Sequence, residues 1–145
     1  MNVDIIEKNF SLNVYGFSGI AINNNWGQTG SRLMDEMWKQ VRANNLKHKG
    51  LNIWVYEEHS KMFAGVELEE PSANTSILEQ KNIRLTKYAY CKHIGPYNLI
   101  GKAGDKVTDE LKQMGLKTRW PYIEIYGHWT PDENKLETEL LWCLV

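Results

Sequence analysis

The chain has 145 residues, of which 42% are hydrophobic and 24% charged, with a formal net charge of −1. That balance describes one globular domain, residues 1–145, with a full core and no basic footprint for direct nucleic-acid binding. No apolar run approaches a membrane span and the N-terminus lacks a signal-peptide pattern, so a cytoplasmic protein without membrane contact is expected.

In chain order, Val3 to Ile6 and Leu12 to Ile22 read as strands, or as one bent strand in which Gly16 and Gly19 allow a bulge or a close approach. Asn23 to Gly30 is rich in Asn and Gly and reads as a loop, with Trp26 placed to lid a cleft. Ser31 to Asn45 reads as a helix, because Leu33, Met34, Met37, Trp38 and Val41 form one apolar stripe. Thr29 or Ser31 can cap its start, and Asn44, Asn45 and Gly50 mark its end. Asn52 to Glu58 is a strand with Trp54 and Tyr56 on one face and Ile53 and Val55 on the other. A turn at Glu58 to Lys61 leads to a strand from Met62 to Leu68. Glu69 to Gln80 is polar, contains Pro71 and reads as a linker.

The pattern then restarts. Ile83 to His93 reads as one strand, with Tyr88 and Tyr90 opposite Ala89 and Cys91. Asn98 to Met114 is a helix whose stripe is Ile100, Ala103, Val107, Leu111 and Met114, with Gly115 where a terminating glycine belongs. Tyr122 to Trp129 is a strand, Thr130 to Lys135 a turn, and Glu137 to Leu144 the last strand. The halves, about 1–70 and 81–145, align at one offset of 70: Leu33, Met37 and Val41 map onto Ala103, Val107 and Leu111, Tyr56 onto Tyr126, and Trp54 onto Glu124. Such a repeat predicts an α+β fold of duplicated β-α-β-β units, three strands and one helix in each. The units should form one antiparallel sheet with both helices on one side. The face left uncovered is expected to form a ligand cleft on the pseudo-twofold, carrying Trp54, Tyr56, Tyr122, Glu124 and Tyr126.

Glu124 is the unusual residue. It sits in a strand centre, flanked on its own face by Tyr122 and Tyr126. A carboxylate half-buried there either points to water or needs partners, and tyrosine hydroxyls such as that of Tyr126 can supply them. Six Trp and seven Tyr also suit an aromatic-lined pocket. Trp38 and Trp142 fall on apolar faces and read as core; Trp129 lies on the Ile123 face or curls to the rim. Glu137 and Glu139 share a face near a sheet edge, where exposure to solvent is expected. No His or Cys spacing suggests a metal site, so no metal or cofactor is expected, and Cys91 and Cys143 read as a reduced, buried pair.

His93-Ile94-Gly95-Pro96-Tyr97, closing a strand and opening a helix, resembles the H-x-G-P-Y motif of the GyrI-like domain, the effector-binding domain of AraC-type and BmrR-type activators. The Ile123 to Tyr126 strand and the acidic start of the Glu137 to Leu144 strand extend the resemblance over nearly the whole chain. The resemblance implies a small-molecule lipophilic cation as ligand, an aromatic-walled cleft and a buried Glu, which falls here on Glu124. Tyr126, Tyr122, Trp54, Tyr56, Tyr90 and Tyr97 are the other expected ligand-binding residues, although Tyr97 can equally pack at the helix start. His93 is expected to position the helix entry. With no helix-turn-helix in view, the chain is similar to stand-alone integron-cassette proteins, and a separate DNA-binding or regulatory protein is its expected partner. The alternatives are a GyrI-like hydrolase of electrophilic small molecules using Glu124, or an inhibitor of another protein. The composition leaves monomer and homodimer both open.

Overall fold

The computed structural model describes residues 2–69 and 77–145. Its elements are β1 (Asp4–Ile6), β2 (Phe10–Ile20), α1 (Trp26–Ala43), β3 (His48–Tyr56), β4 (Lys61–Leu68), β5 (Glu79–Leu85), β6 (Tyr88–Ile94), α2 (Ile100–Gln113), β7 (Thr118–Tyr126) and β8 (Glu137–Leu144). All eight strands form one antiparallel sheet in the order β1-β6-β8-β7-β3-β4-β2-β5. The duplication is exact in topology. Exchanging β1 to β4 with β5 to β8 reproduces the same order read backwards. Each unit carries one strand more than expected, and that strand crosses over: β1 pairs with β6, and β5 with β2.

The extra strand appears because Ile83 to His93 is two strands, broken at Thr86 and Lys87. Ile83, Leu85 and Tyr88 all enter the same buried cluster. An unbroken strand would send Leu85 and Tyr88 to opposite faces. The break also determines the shape of the sheet. Two residues link β5 to β6 and can span only roughly 11 Å. In a flat sheet those strands, eighth and second in order, would lie about 29 Å apart. The sheet therefore curls, and the Phe10 and Tyr88 rings from its two ends come within 5.5 Å. The inside of the curl holds Val14, Ile53, Val55, Phe63, Ile123 and Leu141.

Both helices pack on the outside of the curl. Gly30, Leu33, Met37 and Val41 of α1 and Ile100, Ala103, Val107 and Leu111 of α2 are the buried residues, equivalent pairs at the offset of 70. Asn45 and Gly115, another equivalent pair, end the helices at φ 51 and 73. In each case the next residue donates its amide back to Val41 or Leu111. Helix α1 starts at Trp26, earlier than expected. Asn23 and Asn24 turn the chain at positive φ, and the Asn/Gly-rich stretch behind them is helical. Gly30 is required there, because a Cβ would lie 2.4 Å from the Trp54 ring. Strand β3 starts at His48, with an irregularity before Asn52 where Gly50 has φ 89. Strand β7 runs from Thr118 to Tyr126, shifting register against β8 around Pro121, which has no N–H to offer the ladder. The expected linker lies largely outside the described residues, and its last two positions, Glu79 and Gln80, belong to β5.

Candidate functional site

Strands β3 and β7 pair at the middle of the sheet, with Trp54 directly opposite Glu124. These two residues are also equivalent by the repeat, so the pseudo-twofold axis passes between them. Their side chains project from the helix-bearing face. The expected cleft on the uncovered face is therefore corrected: that face is the filled interior of the curl. The cleft lies instead between the two helices, which pack on separate flanks of the outward-curving sheet and leave its centre open.

This cleft has a volume of about 770 Å³, within the usual range for small-molecule sites. Trp54, Tyr56, Glu124 and Tyr126 form its floor. Gly27, Ser31 and Met34 of α1 form one wall, and Tyr97, Ile100 and Gly101 form the other. Asn52, His128 and Trp129 complete the lining, and Trp129 is 74% exposed.

Glu124 is only 6% exposed. Three phenols donate to it: Tyr56 to Oε1 at 2.6 Å, Tyr126 to Oε1 at 2.5 Å and Tyr122 to Oε2 at 2.8 Å. Among the described residues no ion pair involves this carboxylate. Burial first, and the charge of Glu124 second, push the pKa of all three tyrosines far above the ordinary phenol value. They therefore stay protonated and remain donors through the neutral range. The rings form a continuous aromatic surface: Tyr126 meets Trp54 edge-on at 5.4 Å and Tyr97 at 5.6 Å, while Tyr56 lies 5.3 Å from Tyr122 and 5.2 Å from Trp26. The site can thus surround an apolar body with ring faces and edges and place one negative charge beneath it.

Of the expected residues, the structure brings Glu124, Tyr126, Tyr56, Trp54 and Tyr97 into the cleft. Tyr122 supports Glu124 from beside the cleft and packs on Trp142, 4.9 Å away. Tyr90 is a correction. It lies opposite Ala89 and Cys91, as alternation requires, but its face is the one inside the curl, where it donates to Glu139 at 2.6 Å. Trp26 is the first residue of α1 and packs against Tyr56. His93 donates from Nε2 to the Pro96 carbonyl oxygen at 3.1 Å, bracing the entry to α2. The α1 wall was missed, although a signal existed: Gly27, Ser31 and Met34 fall at i, i+4 and i+7 on one helix face. Asn52 shares the parity of Trp54 and Tyr56 and was equally findable. Among the described residues no group of three His, Cys, Asp or Glu side chains is placed to hold a metal ion. No described helix is long and apolar enough to cross a membrane.

Comparison with known proteins bears on this geometry. The model of a family described as the GyrI-like small molecule binding domain matches residues 1–144. No protein of curated function matches the chain in sequence. Among solved structures, SAV2435 bound to tetraphenylphosphonium is similar, with 18% identity, a TM-score of 0.67 and coverage of 100% of this chain and 94% of that one. The EcmrR C-terminal domain matches with a TM-score of 0.78 at 14% identity, covering 100% and 99% of the two chains. An integron cassette protein from the mobile metagenome of Vibrio cholerae matches with a TM-score of 0.57 at 13% identity, covering 99% and 95%. At these identities the structural likeness speaks to the fold.

Proposed function

The chain belongs to the GyrI-like family of small-molecule-binding domains, and we propose that its cleft binds lipophilic cations bearing flat aromatic groups, as a sensor or sequestering module. The observation that carries this reading is Glu124: a carboxylate 6% exposed at the floor of an aromatic cleft, held by three phenols and paired with no described cation. Hydrogen bonds hold the carboxylate in place but add no positive charge. A bound cation adds it, and each ring face that meets the cation contributes roughly 0.5–2 kcal/mol. Stacking tolerates many shapes, so the site selects by sign of charge and flatness more than by outline. The tetraphenylphosphonium bound to the structurally similar SAV2435 supports this choice of ligand class.

The test is a titration of intrinsic Trp fluorescence with tetraphenylphosphonium, with neutral triphenylphosphine oxide and with anionic tetraphenylborate, for the native chain and Glu124→Gln. The cation should bind at least about tenfold tighter than the neutral compound, about 1.4 kcal/mol, and the variant should lose that gap. If none of the three binds, or all bind alike, the reading fails. Turnover of an electrophile that Glu124→Gln abolishes would replace it with the hydrolase alternative.

A further inference from the structure

A second concavity, about 430 Å³, lies on the far side of the segment that opens α2. Its floor is apolar, made by Ile94, Leu99 and Ala103, and Lys92, Lys102 and Lys106 stand around it. Ile94 is 61% exposed and Leu99 41%. Lys102 and Lys106 sit one helical turn apart, on the same side of α2. Among the described residues neither forms an ion pair; Asp109 and Glu110, one turn further on, reach neither of them. Lys92 has an exposed partner in Glu137 at 3.5 Å. We propose that this groove is a docking surface for an acidic segment of a partner protein, one that carries an apolar side chain between two carboxylates.

The repeat supplies an internal control. In the first half the positions equivalent to Lys92, Lys102 and Lys106 are Ser18, Arg32 and Glu36, as the strand registers and the helix offset require. There Arg32 pairs with Glu36 at 3.4 Å, and Ser18 is bonded to Glu79. The exposed apolar residue is retained, since Ile20 is the counterpart of Ile94. One architecture therefore carries charge-balanced residues at these positions on one side and lysines on the other, so folding does not demand the lysines. Like charges one turn apart disfavour the helix slightly, and an acidic occupant relieves that repulsion. Three lysines on a chain of net charge −1 are too few for nucleic acid, whose affinity rests on many phosphate contacts. An interfacial helix lays a continuous apolar face on the headgroups, whereas here the apolar residues are confined to the concavity. The segment from His93 to Gly101 is a wall common to both concavities: Tyr97 and Ile100 face the cleft, while His93, Ile94 and Leu99 face the groove.

The experiment is fluorescence anisotropy with a labelled helical peptide carrying two glutamates one turn apart and a leucine between them. Its twin carries glutamine in place of glutamate. The acidic peptide should bind at least about tenfold tighter than its twin, and the advantage should fade between about 0.05 M and about 0.5 M salt. Lys102→Glu with Lys106→Glu should abolish it, and Arg32→Glu on the balanced side should leave it unchanged. If the double reversal unfolds the chain, the Lys→Gln pair gives the same reading. Equal binding of the twins, or binding indifferent to the lysines, overturns the proposal. Binding to phosphatidylserine vesicles in place of the peptide would assign the groove to lipid and overturn it. Dimerisation lost in the double variant would assign it to a second copy of this chain and overturn it too.

Discussion

At the pseudo-twofold axis the two halves set a tryptophan against a glutamate. Trp54 and Glu124 occupy equivalent positions, face one another across β3 and β7, and are buried alike, at 8% and 6% exposed. Their chemistry is opposite. Burying the indole is favourable through its large apolar area, offset in part by its Nε1–H, which is buried without a partner among the described residues. Burying the carboxylate costs free energy unless donors surround it. The fold supplies two of those donors by symmetry: Tyr56 and Tyr126 are themselves an equivalent pair, and each reaches Oε1 from its own half. The third, Tyr122, has Asn52 as its counterpart and belongs to the second half only. A duplicated scaffold thus acquires a buried carboxylate through one difference on its axis, with two of the three donors placed by the duplication and the third added in the second half.

Alkaline pH is the strongest way to break this arrangement. The Tyr56, Tyr122 and Tyr126 pKa values are raised in the folded state, chiefly by burial and then by Glu124. A raised pKa contributes stability that is complete below the unfolded value near 10 and is lost as pH climbs toward the folded values. Urea denaturation should lose about 4 kcal/mol between about pH 9 and about pH 11 from these three phenols. The double variant Tyr56→Phe/Tyr126→Phe should show a shallower slope. An unchanged slope would mean that the phenols ionise alike in both states.

The strand pair β2 and β4, set against its equivalent β6 and β8, offers the next test. Gly16 and Gly65 face each other in the first half; Tyr90 and Leu141 take their places in the second. A Cβ on Gly16 would lie 1.9 Å from the Ala64 carbonyl oxygen, so Gly16→Ala should cost about 3 kcal/mol or more. Tyr90→Phe, at the equivalent position, removes one phenol–carboxylate bond and should cost about 1.5 kcal/mol. If chemical denaturation returns equal costs, the close approach in the first half is not tight.

Removing one donor at a time sharpens the picture at the axis. Tyr56→Phe and Tyr126→Phe should each cost about 2 kcal/mol, and nearly the same amount, because both serve one oxygen. The pair should fail to add, since the second loss strikes a carboxylate that is already under-bonded. Additivity in a double-mutant cycle would argue against a common acceptor. The smallest effect belongs to the rim. Trp129→Ala should change stability by less than about 0.5 kcal/mol, because the side chain is mostly exposed. Calorimetry should nonetheless show several-fold weaker binding of tetraphenylphosphonium if that ring closes over the ligand.

Much of this molecule is legible in its letters. Leu33, Met37 and Val41, with their counterparts Ala103, Val107 and Leu111, state the helical stripes; Trp54, Tyr56, Glu124 and Tyr126 state their common sheet face by parity alone. The break at Thr86 and Lys87 was also written there, as the change of parity between Leu85 and Tyr88, but it lies inside a continuous stretch of strand-forming residues. Gly27 and Gly30 misled for a different reason. Glycine in a helix looks like a loop; at Gly30 the Trp54 ring needs the space, while nothing crowds a Cβ at Gly27.

The sequence by itself determined the repeat, most of the elements and which side chains share a face, because the periods of 2 and 3.6 are local properties of backbone geometry. Only the tertiary structure decided which face opens. The two-residue link between β5 and β6 forces the sheet to curl, the curl fills the Ile53 face and takes Tyr90 with it, and the helices part over the axis to expose Glu124. Those outcomes depend on chain closure and on competition for burial among residues far apart in sequence, which no local period encodes.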